Sequence, residues 1–298
     1  MRVVHVTADA LGPWVPQLRA LEAGISYPID DGRDRFELSH GGGYHGFFSK
    51  MGEAHFLLAL EGDALLGCVA AVRKPVRVGG AEVPAVYLAD LKVAPAARGR
   101  GVPARLLFRA LSVWARSPRR LSWRFAFGAA MRGARGDVMR AAKGVTPMKL
   151  ASAVARLHVY FERPEVLAAL KVTGAPPPPA GAGLDLSPEA STEVVSTAGL
   201  KDFVLASTGA PWPLVHLPRG PSGWGASHAA ALARGGRALV QQGAPGPACF
   251  ALDDRLEAER HFLEAQGVRP GAVCTVYGLS MTRRMATVPW VHLATSDI

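Results

Sequence analysis

The stretch Val86-Tyr-Leu-Ala-Asp-Leu-Lys-Val-Ala-Pro-Ala-Ala-Arg-Gly-Arg-Gly-Val-Pro-Ala-Arg-Leu-Leu107 reads as a strand, a glycine turn and a helix in immediate succession. Residues 86–93 are mostly apolar and bounded by Pro84 and Pro95, the pattern of a strand covered on both faces. Arg98-Gly-Arg-Gly101 then sets successive backbone N–H groups at a helix start. In that helix Leu106, Leu107, Ala110, Leu111 and Trp114 fall on one face. A helix N-terminus preceded by glycines and flanked by arginines suits an anion, above all a phosphate. The spacing is neither that of a Walker loop, which needs Gly-Lys-Ser/Thr, nor Gly-x-Gly-x-x-Gly of a dinucleotide fold.

Working outward, residues 2–7 alternate as a first strand, and a helix is expected from about Pro13 to Ala23. The segment Ile25–Gly43 is expected to be a loop, with Asp30-Asp-Gly32 and Gly41-Gly-Gly43 as breakers, before a short helix from Tyr44 to Met51. Three antiparallel strands follow: 54–60, 64–78 and the focal strand, joined at Glu61-Gly-Asp63 and Gly79-Gly80. After the focal helix, residues 121–127 read as a strand, 137–143 as a short helix and 156–162 as the last strand of a first domain.

Val93-Ala-Pro95 followed by Arg98-Gly-Arg-Gly101-Val, with Leu106-Leu107 behind it, resembles the acyl-CoA pyrophosphate loop of the GCN5-related N-acetyltransferases, the GNAT superfamily. The order strand, helices, three strands, glycine loop, helix is also that family's topology. The resemblance implies a mixed α/β fold, with a mostly antiparallel twisted sheet flanked by helices. It also implies transfer of an acetyl or other acyl group from acyl-CoA to an amine by direct attack on the thioester. Arg98, Gly99, Arg100, Gly101, Val102 and Ala104 would hold the pyrophosphate of acetyl-CoA. Leu91 and Val93 would offer backbone groups to the pantetheine arm, lying where the focal strand splays from the next. The early helical region grips the acceptor in the family, which makes Tyr44, His45, Phe47 and Phe48 candidate contacts, with Phe47 and Phe48 equally read as core.

Catalysis needs a proton acceptor, because an alkyl amine is almost wholly protonated at neutral pH. The focal strand offers Asp90 and Tyr87. Some family members have Leu-Glu-Asp where this chain has Leu88-Ala-Asp90, and their glutamate serves as base. Strand alternation sends Asp90 to the face opposite Ala89 unless a bulge intervenes, and pairing with a cation or backbone N–H is its other reading. Two further departures stand out: Pro103 removes one N–H from the helix start, and the tyrosine usual after the fifth strand is missing from 136–144. The apolar chain end, Val291 to Ile298, is a further candidate, since some tandem members place a terminal carboxylate in the site.

The composition sets limits. With 298 residues and 49% hydrophobic positions, the chain is globular and long enough for two domains. The apolar runs 56–60 and 64–72 are cut by Glu61 and Asp63, and the N-terminus lacks the apolar core of a signal peptide. Cys68, Cys249 and Cys274 form no metal spacing and no disulfide framework, so a reducing cytoplasm is expected, with no metal and no membrane. Of the net charge of +10, much is concentrated between Arg98 and Lys149, where thirteen Lys or Arg face one acidic residue, Asp137. Such a block attracts coenzyme A or a nucleic acid. The absence of zinc-finger spacing or an RNA-recognition motif favours the former. The acceptor is then a small-molecule or peptide amine, and a monomer or homodimer suits the chain equally.

Pro176-Pro-Pro-Pro179 and Ala-Gly-Ala-Gly183 read as a linker, dividing a domain at 1–175 from a smaller α/β domain at 185–298. In the latter, strands are expected at 214–217, 237–241, 248–252, 272–281 and 289–293, and helices at 226–234 and 254–266. Phe262 to Pro270 entering Val273-Cys-Thr-Val-Tyr277 resembles the closing helix and strand of the same family. Arg219 to Gly225 is a poor version of its loop. The second half thus reads as a degenerate copy, with an unrelated accessory domain as the alternative. A fold retained without chemistry, and a nucleic-acid binder using the 98–149 block, are the rival functions.

Overall fold

A computed structural model of the chain describes residues 1–29, 33–116, 124–133, 136–137, 151–190, 192–220, 223–280 and 288–298. Strand β1 (Arg2–Thr7) leads into helix α1 (Val15–Ala23). A hairpin of β2 (Ser26–Ile29) and β3 (Asp34–Ser39) follows, then helix α2 (Gly46–Met51). Strands β4 (Glu53–Glu61), β5 (Ala64–Val78) and β6 (Ala81–Val93) form the expected antiparallel meander. Helix α3 (Val102–Arg116) carries the chain to β7 (Phe125–Gly133), β8 (Gly136–Asp137), β9 (Ser152–Glu162) and helix α4 (Pro164–Ala168). Beyond the proline tract come β10 (Leu184–Asp185), β11 (Val195–Ser196), β12 (Asp202–Leu205), β13 (Pro211–Trp212) and β14 (Val215–His216). Helix α5 (Ala226–Gln241), β15 (Ala248–Asp253), helix α6 (Glu257–Glu264), β16 (Ala272–Ser280) and β17 (Val291–His292) complete the order.

Among the described residues one large mixed sheet runs β1-β4-β5-β6-β7-β16-β9-β15-β14-β11. Most neighbours are antiparallel, while β6 and β7 are parallel, as are β14 and β15. Strand β16, from the end of the chain, inserts between β7 and β9 and pairs antiparallel with both. Segments on either side of the proline tract therefore share one sheet. The tract itself is packed, since a Cβ on Gly225 would stand 2.6 Å from the carbonyl oxygen of Pro176.

Helix α3 lies on one face of the sheet, with Val102, Leu106 and Ala110 buried against Leu57, Val69, Val86 and Ala126. Leu18 and Leu21 of α1 and Phe47 and Phe48 of α2 are buried in the core of the opposite face. A third cluster, with Leu167, Leu232, Phe250 and Leu263, underlies the C-terminal helices. None of the described helices is long and apolar enough to cross a membrane.

Two expectations are corrected. The supposed loop 25–43 supplies the β2–β3 hairpin, which joins β12 and β13 in a second, four-stranded sheet. Phe36 meets Phe203 there with ring centroids 4.9 Å apart, a contact across more than 160 positions that local glycines do not announce. The expected strand 237–241 is the end of α5. Gly235-Gly236 does not stop that helix, because both glycines are close-packing points. A Cβ on Gly236 would stand 2.5 Å from the Ala168 nitrogen, so α4 and α5 meet through it. The expected helix 137–143 falls mostly outside the described residues, and Asp137 itself pairs with β7.

Candidate active site

The site is built where β6 and β7 part. Their parallel pairing covers only Ala85–Tyr87 against Phe125–Phe127. β7 pairs with β16 along its other edge from Phe125 to Met131, while its pairing with β6 stops at Tyr87 and Phe127. A Cβ on Gly128 would come within 2.9 Å of the Leu88 carbonyl oxygen, so glycine is what lets the strands meet at the point of divergence.

The bulge that would turn Asp90 is present. Cys68 faces Lys92 and Ala70 faces Ala89, so Asp90 and Leu91 together oppose Val69. Asp90 takes φ +56°, unusual for a residue with a side chain. The extra residue re-aims Asp90 and Lys92 toward α1 and α2, where a connected polar group forms. Lys92 Nζ lies 2.6 Å from Asp90 Oδ1 and 2.5 Å from Glu22 Oε1. His40 Nδ1 is 2.5 Å from the same Glu22 oxygen, and the His40 backbone N–H donates to Glu22 Oε2 at 3.2 Å. The Tyr44 hydroxyl donates to Asp90 Oδ2 and lies 3.7 Å from the Cys68 sulfur. Tyr44 has φ +59° and is 1% exposed, so the chain bends sharply to deliver this one hydroxyl.

The electrostatics follow from burial opposed by pairing. Burial alone would raise the Asp90 carboxyl, but the Lys92 ammonium outweighs it and holds the group down at about 2. Burial would likewise depress Lys92, and Asp90 and Glu22 reverse this and raise it. Glu22 stays below its ordinary value because the bonds from His40 and the Lys92 charge exceed its desolvation. Burial and the neighbouring Asp90 charge push Tyr44 well above the phenol range and Cys68 up to about 12. Ligand atoms of Glu22, His40 and Asp90 lie within 4.8 Å of one another, and the ammonium that contacts both carboxylates already supplies the positive charge.

This group borders a cavity of about 260 Å³ that passes through the parted strands. Leu107 and Leu111 of α3 line it on one side of the sheet, and His40, Phe47 and Asp90 on the other. The second sheet covers it with Tyr27, Phe36 and Phe203. Lys201 reaches in from the loop before β12; its Nζ lies 4.5 Å from the Phe47 ring centre and donates to the Ile298 backbone oxygen. Burial lowers Lys201 to about 8. His216 on the far wall is held at about 4 by burial and by Lys201.

Just past the C-terminal end of β6, Gly99 and Gly101 have φ +80° and +72°, with nothing within 4 Å of where a Cβ would stand. Backbone conformation, not crowding, demands glycine, and the space above the turn is open. The first α-helical bond runs from Arg105 N–H to the Gly101 oxygen, so the N–H groups of Val102 and Ala104 precede it, and Pro103 has none. That arrangement suits a pyrophosphate. Arg98 is exposed beside the turn, whereas Arg100 reaches Glu61 at 2.6 Å.

Leu91 and Asp90 line the cavity, as does Tyr87, which is 2% exposed and stacked on Phe127. Val93 pairs with Gly67 in the sheet and, with Tyr44 and His45, lies outside the cavity lining. Sequence reasoning missed Glu22, His40, Lys92, Tyr27 and Lys201. Only Lys92 carried a local signal, as a lysine within an otherwise apolar strand.

Residues 42–136 match the model of the acetyltransferase (GNAT) domain family. No curated protein sequence matches the chain. A tandem GNAT protein from the clavulanic acid biosynthesis pathway is 12% identical, with 94% of this chain and 98% of that one covered and a TM-score of 0.52. The N-myristoyltransferase of Saccharomyces cerevisiae, solved with bound myristoyl-CoA, is 11% identical, with 94% and 79% covered and a TM-score of 0.53. At such identities the likeness is one of fold. Residues 42–136 thus match a GNAT acetyltransferase domain, within a fold that resembles that of a tandem GNAT protein along most of the chain.

Proposed function

We propose that this protein transfers an acyl group from an acyl-CoA, acetyl-CoA being the simplest, to the amine of a small molecule or peptide. The observation that carries the reading is the junction of three features on β6 and its continuation: the glycine turn, the bulge at Asp90 and the cavity between the parted strands. The N–H groups of Gly99, Gly101, Val102 and Ala104, with Arg98, would hold the pyrophosphate. Leu91 and Val93 would offer backbone groups to the arm that reaches the cavity. The bound donor supplies a thioester carbonyl there, and the chain supplies the rest. Phe36, Phe47 and Phe203 exclude water, and the Asp90 carboxylate, held ionised by Lys92, keeps a fixed negative charge beside the incoming ammonium. The chain is read as a GNAT-like domain at 1–175, to which cofactor binding is assigned, a linker at 176–184 and a smaller α/β domain at 185–298 that is either a degenerate copy or an accessory domain.

Coenzyme A should raise the melting temperature, and Arg98→Glu should remove most of the shift. A hydrogen bond to a charged group contributes about 1.5–3 kcal/mol, equivalent to roughly a ten- to hundredfold change in affinity. No shift at millimolar CoA in either protein would sink the reading. The second reading is a CoA-binding module without turnover, favoured by the engagement of Asp90 with both Lys92 and Tyr44. CoA binding without thiol release across an amine panel would select it.

A further inference from the structure

The polar group at the bulge contains one imidazole nitrogen that the fold leaves unused. His40 is 3% exposed, and its Nε2 is buried with no hydrogen-bond partner. A buried polar atom without a partner is costly, so its retention calls for a use. The rest of the ring is fixed. Nδ1 is 2.5 Å from Glu22 Oε1, and the ring packs on Tyr44, Phe47 and Phe48 with centroids 5.0, 5.5 and 4.9 Å apart. Glu22 is ionised at neutral pH and can only accept hydrogen bonds. The proton between them therefore belongs to Nδ1, and a neutral His40 must carry its lone pair on Nε2. His40 also lines the cavity, together with Asp90, Leu88 and Phe47.

Resting on the acyltransferase reading, we propose that His40 is the proton acceptor for the acceptor amine and that Glu22 is its positioning residue. His40 Nε2 takes one proton from the substrate ammonium, which frees the nitrogen lone pair. That pair forms the new bond to the thioester carbonyl carbon, and the carbon–sulfur bond breaks with its electrons on sulfur. The second nitrogen proton passes to the thiolate, and the proton on His40 is released to solvent, so that ammonium and thioester give amide, thiol and one proton. Asp90 is the inferior base, because the Lys92 ammonium and the Tyr44 hydroxyl already occupy its oxygens. The groups facing His40 are Glu22 from α1, Asp90 and Lys92 from β6, and Tyr44 ahead of α2. Tyr27 from the second sheet and Lys201 stand elsewhere on the cavity wall. A carboxylate behind Nδ1 with a free Nε2 in front is the arrangement that fixes the tautomer of a general base.

The test uses the full chain, acetyl-CoA and a panel of primary amines comprising ethanolamine, tyramine and a lysine-containing peptide, with thiol release as the readout. His40→Gln should lower kcat by ~100-fold or more while leaving KM for acetyl-CoA unchanged, the range expected for loss of a general base. The pH profile should lose its rising limb, and imidazole should restore part of the rate to His40→Gly. Glu22→Gln, which keeps an acceptor for Nδ1–H, should lose less than Glu22→Ala. A melting shift with CoA in each variant separates lost chemistry from lost folding or lost cofactor binding. Ring-nitrogen NMR of the unmutated protein adds a reading that does not depend on any variant, and should show His40 as the Nδ1–H tautomer. A protein that binds CoA and releases thiol equally well without His40, or that binds CoA and releases none with any amine, overturns the proposal. So does His40 in the Nε2–H form. Failure of CoA to bind at all overturns the acyltransferase reading instead.

Discussion

Replacing Lys92 by methionine should destabilise the protein strongly at neutral pH and invert its response to acid. The ammonium is 2% exposed and touches two carboxylates, at 2.6 Å and 2.5 Å. At an effective dielectric of about 20 each attraction is about 6 kcal/mol, and the desolvation of three buried charges offsets most of it. Loss of the cation leaves Asp90 buried without its counter-charge and Glu22 with His40 alone, which costs about 3–5 kcal/mol. The pH dependence then has a definite sign. In the unmutated protein Asp90 is depressed from 3.8 to about 2, so its contribution of ~2 kcal/mol is present above pH 4 and is lost as pH falls toward 2. In Lys92→Met, burial acts on Asp90 without its largest opposing charge, and its value rises above that of the unfolded chain, while Glu22 keeps the bonds from His40. The native state then binds more protons than the unfolded one at mildly acid pH, and stability must rise from pH 7 to pH 5. Urea unfolding at pH 7, 5 and 3 measures both effects. A variant within 1 kcal/mol of the parent at pH 7, or one that weakens from pH 7 to 5 as acid is added, refutes the reasoning.

Lys201→Met should act in the opposite direction. Burial lowers this amine from 10.5 to about 8, so the charged form handicaps the native state below pH 8, and the handicap fades as pH rises to 10.5. Removing it should stabilise by up to ~3 kcal/mol at pH 7, with the gain vanishing near pH 10.5 in denaturant titrations. A gain that is constant with pH would show that packing, not charge, was responsible. Gly101→Ala forces a side chain to φ +72° with free space around it, so it should cost about 1–2 kcal/mol in urea unfolding with no clash. An unchanged midpoint would mean that the turn does not hold that conformation.

The loop and its helix were legible because each rests on local chemistry. Val93-Ala-Pro95, the two glycines and the apolar face from Val102 to Ala110 act within one turn and one helix, and the structure keeps all of them. The meander was equally readable, since short turns force neighbouring strands to pair. The alternation of Leu88-Ala-Asp90 posed the question of a bulge and could not answer it. The answer depends on Tyr44 and Glu22, which meet Asp90 and Lys92 from outside the strand.

By itself, then, the sequence determined a three-stranded meander feeding an anion-binding turn, because nearest neighbours decide such features. Only the tertiary structure decided which residues surround the chemistry. Glu22 meets Lys92 across 70 positions and His40 across 18. Strand β16 enters the sheet between β7 and β9, and β12 covers the cavity by pairing with β3. Each of these contacts costs chain entropy that no local pattern records, and each is held by burial that exists only once the sheet has closed around it. His40 lay in a segment read as loop, and it became the best candidate proton acceptor because the fold buried it with one nitrogen free.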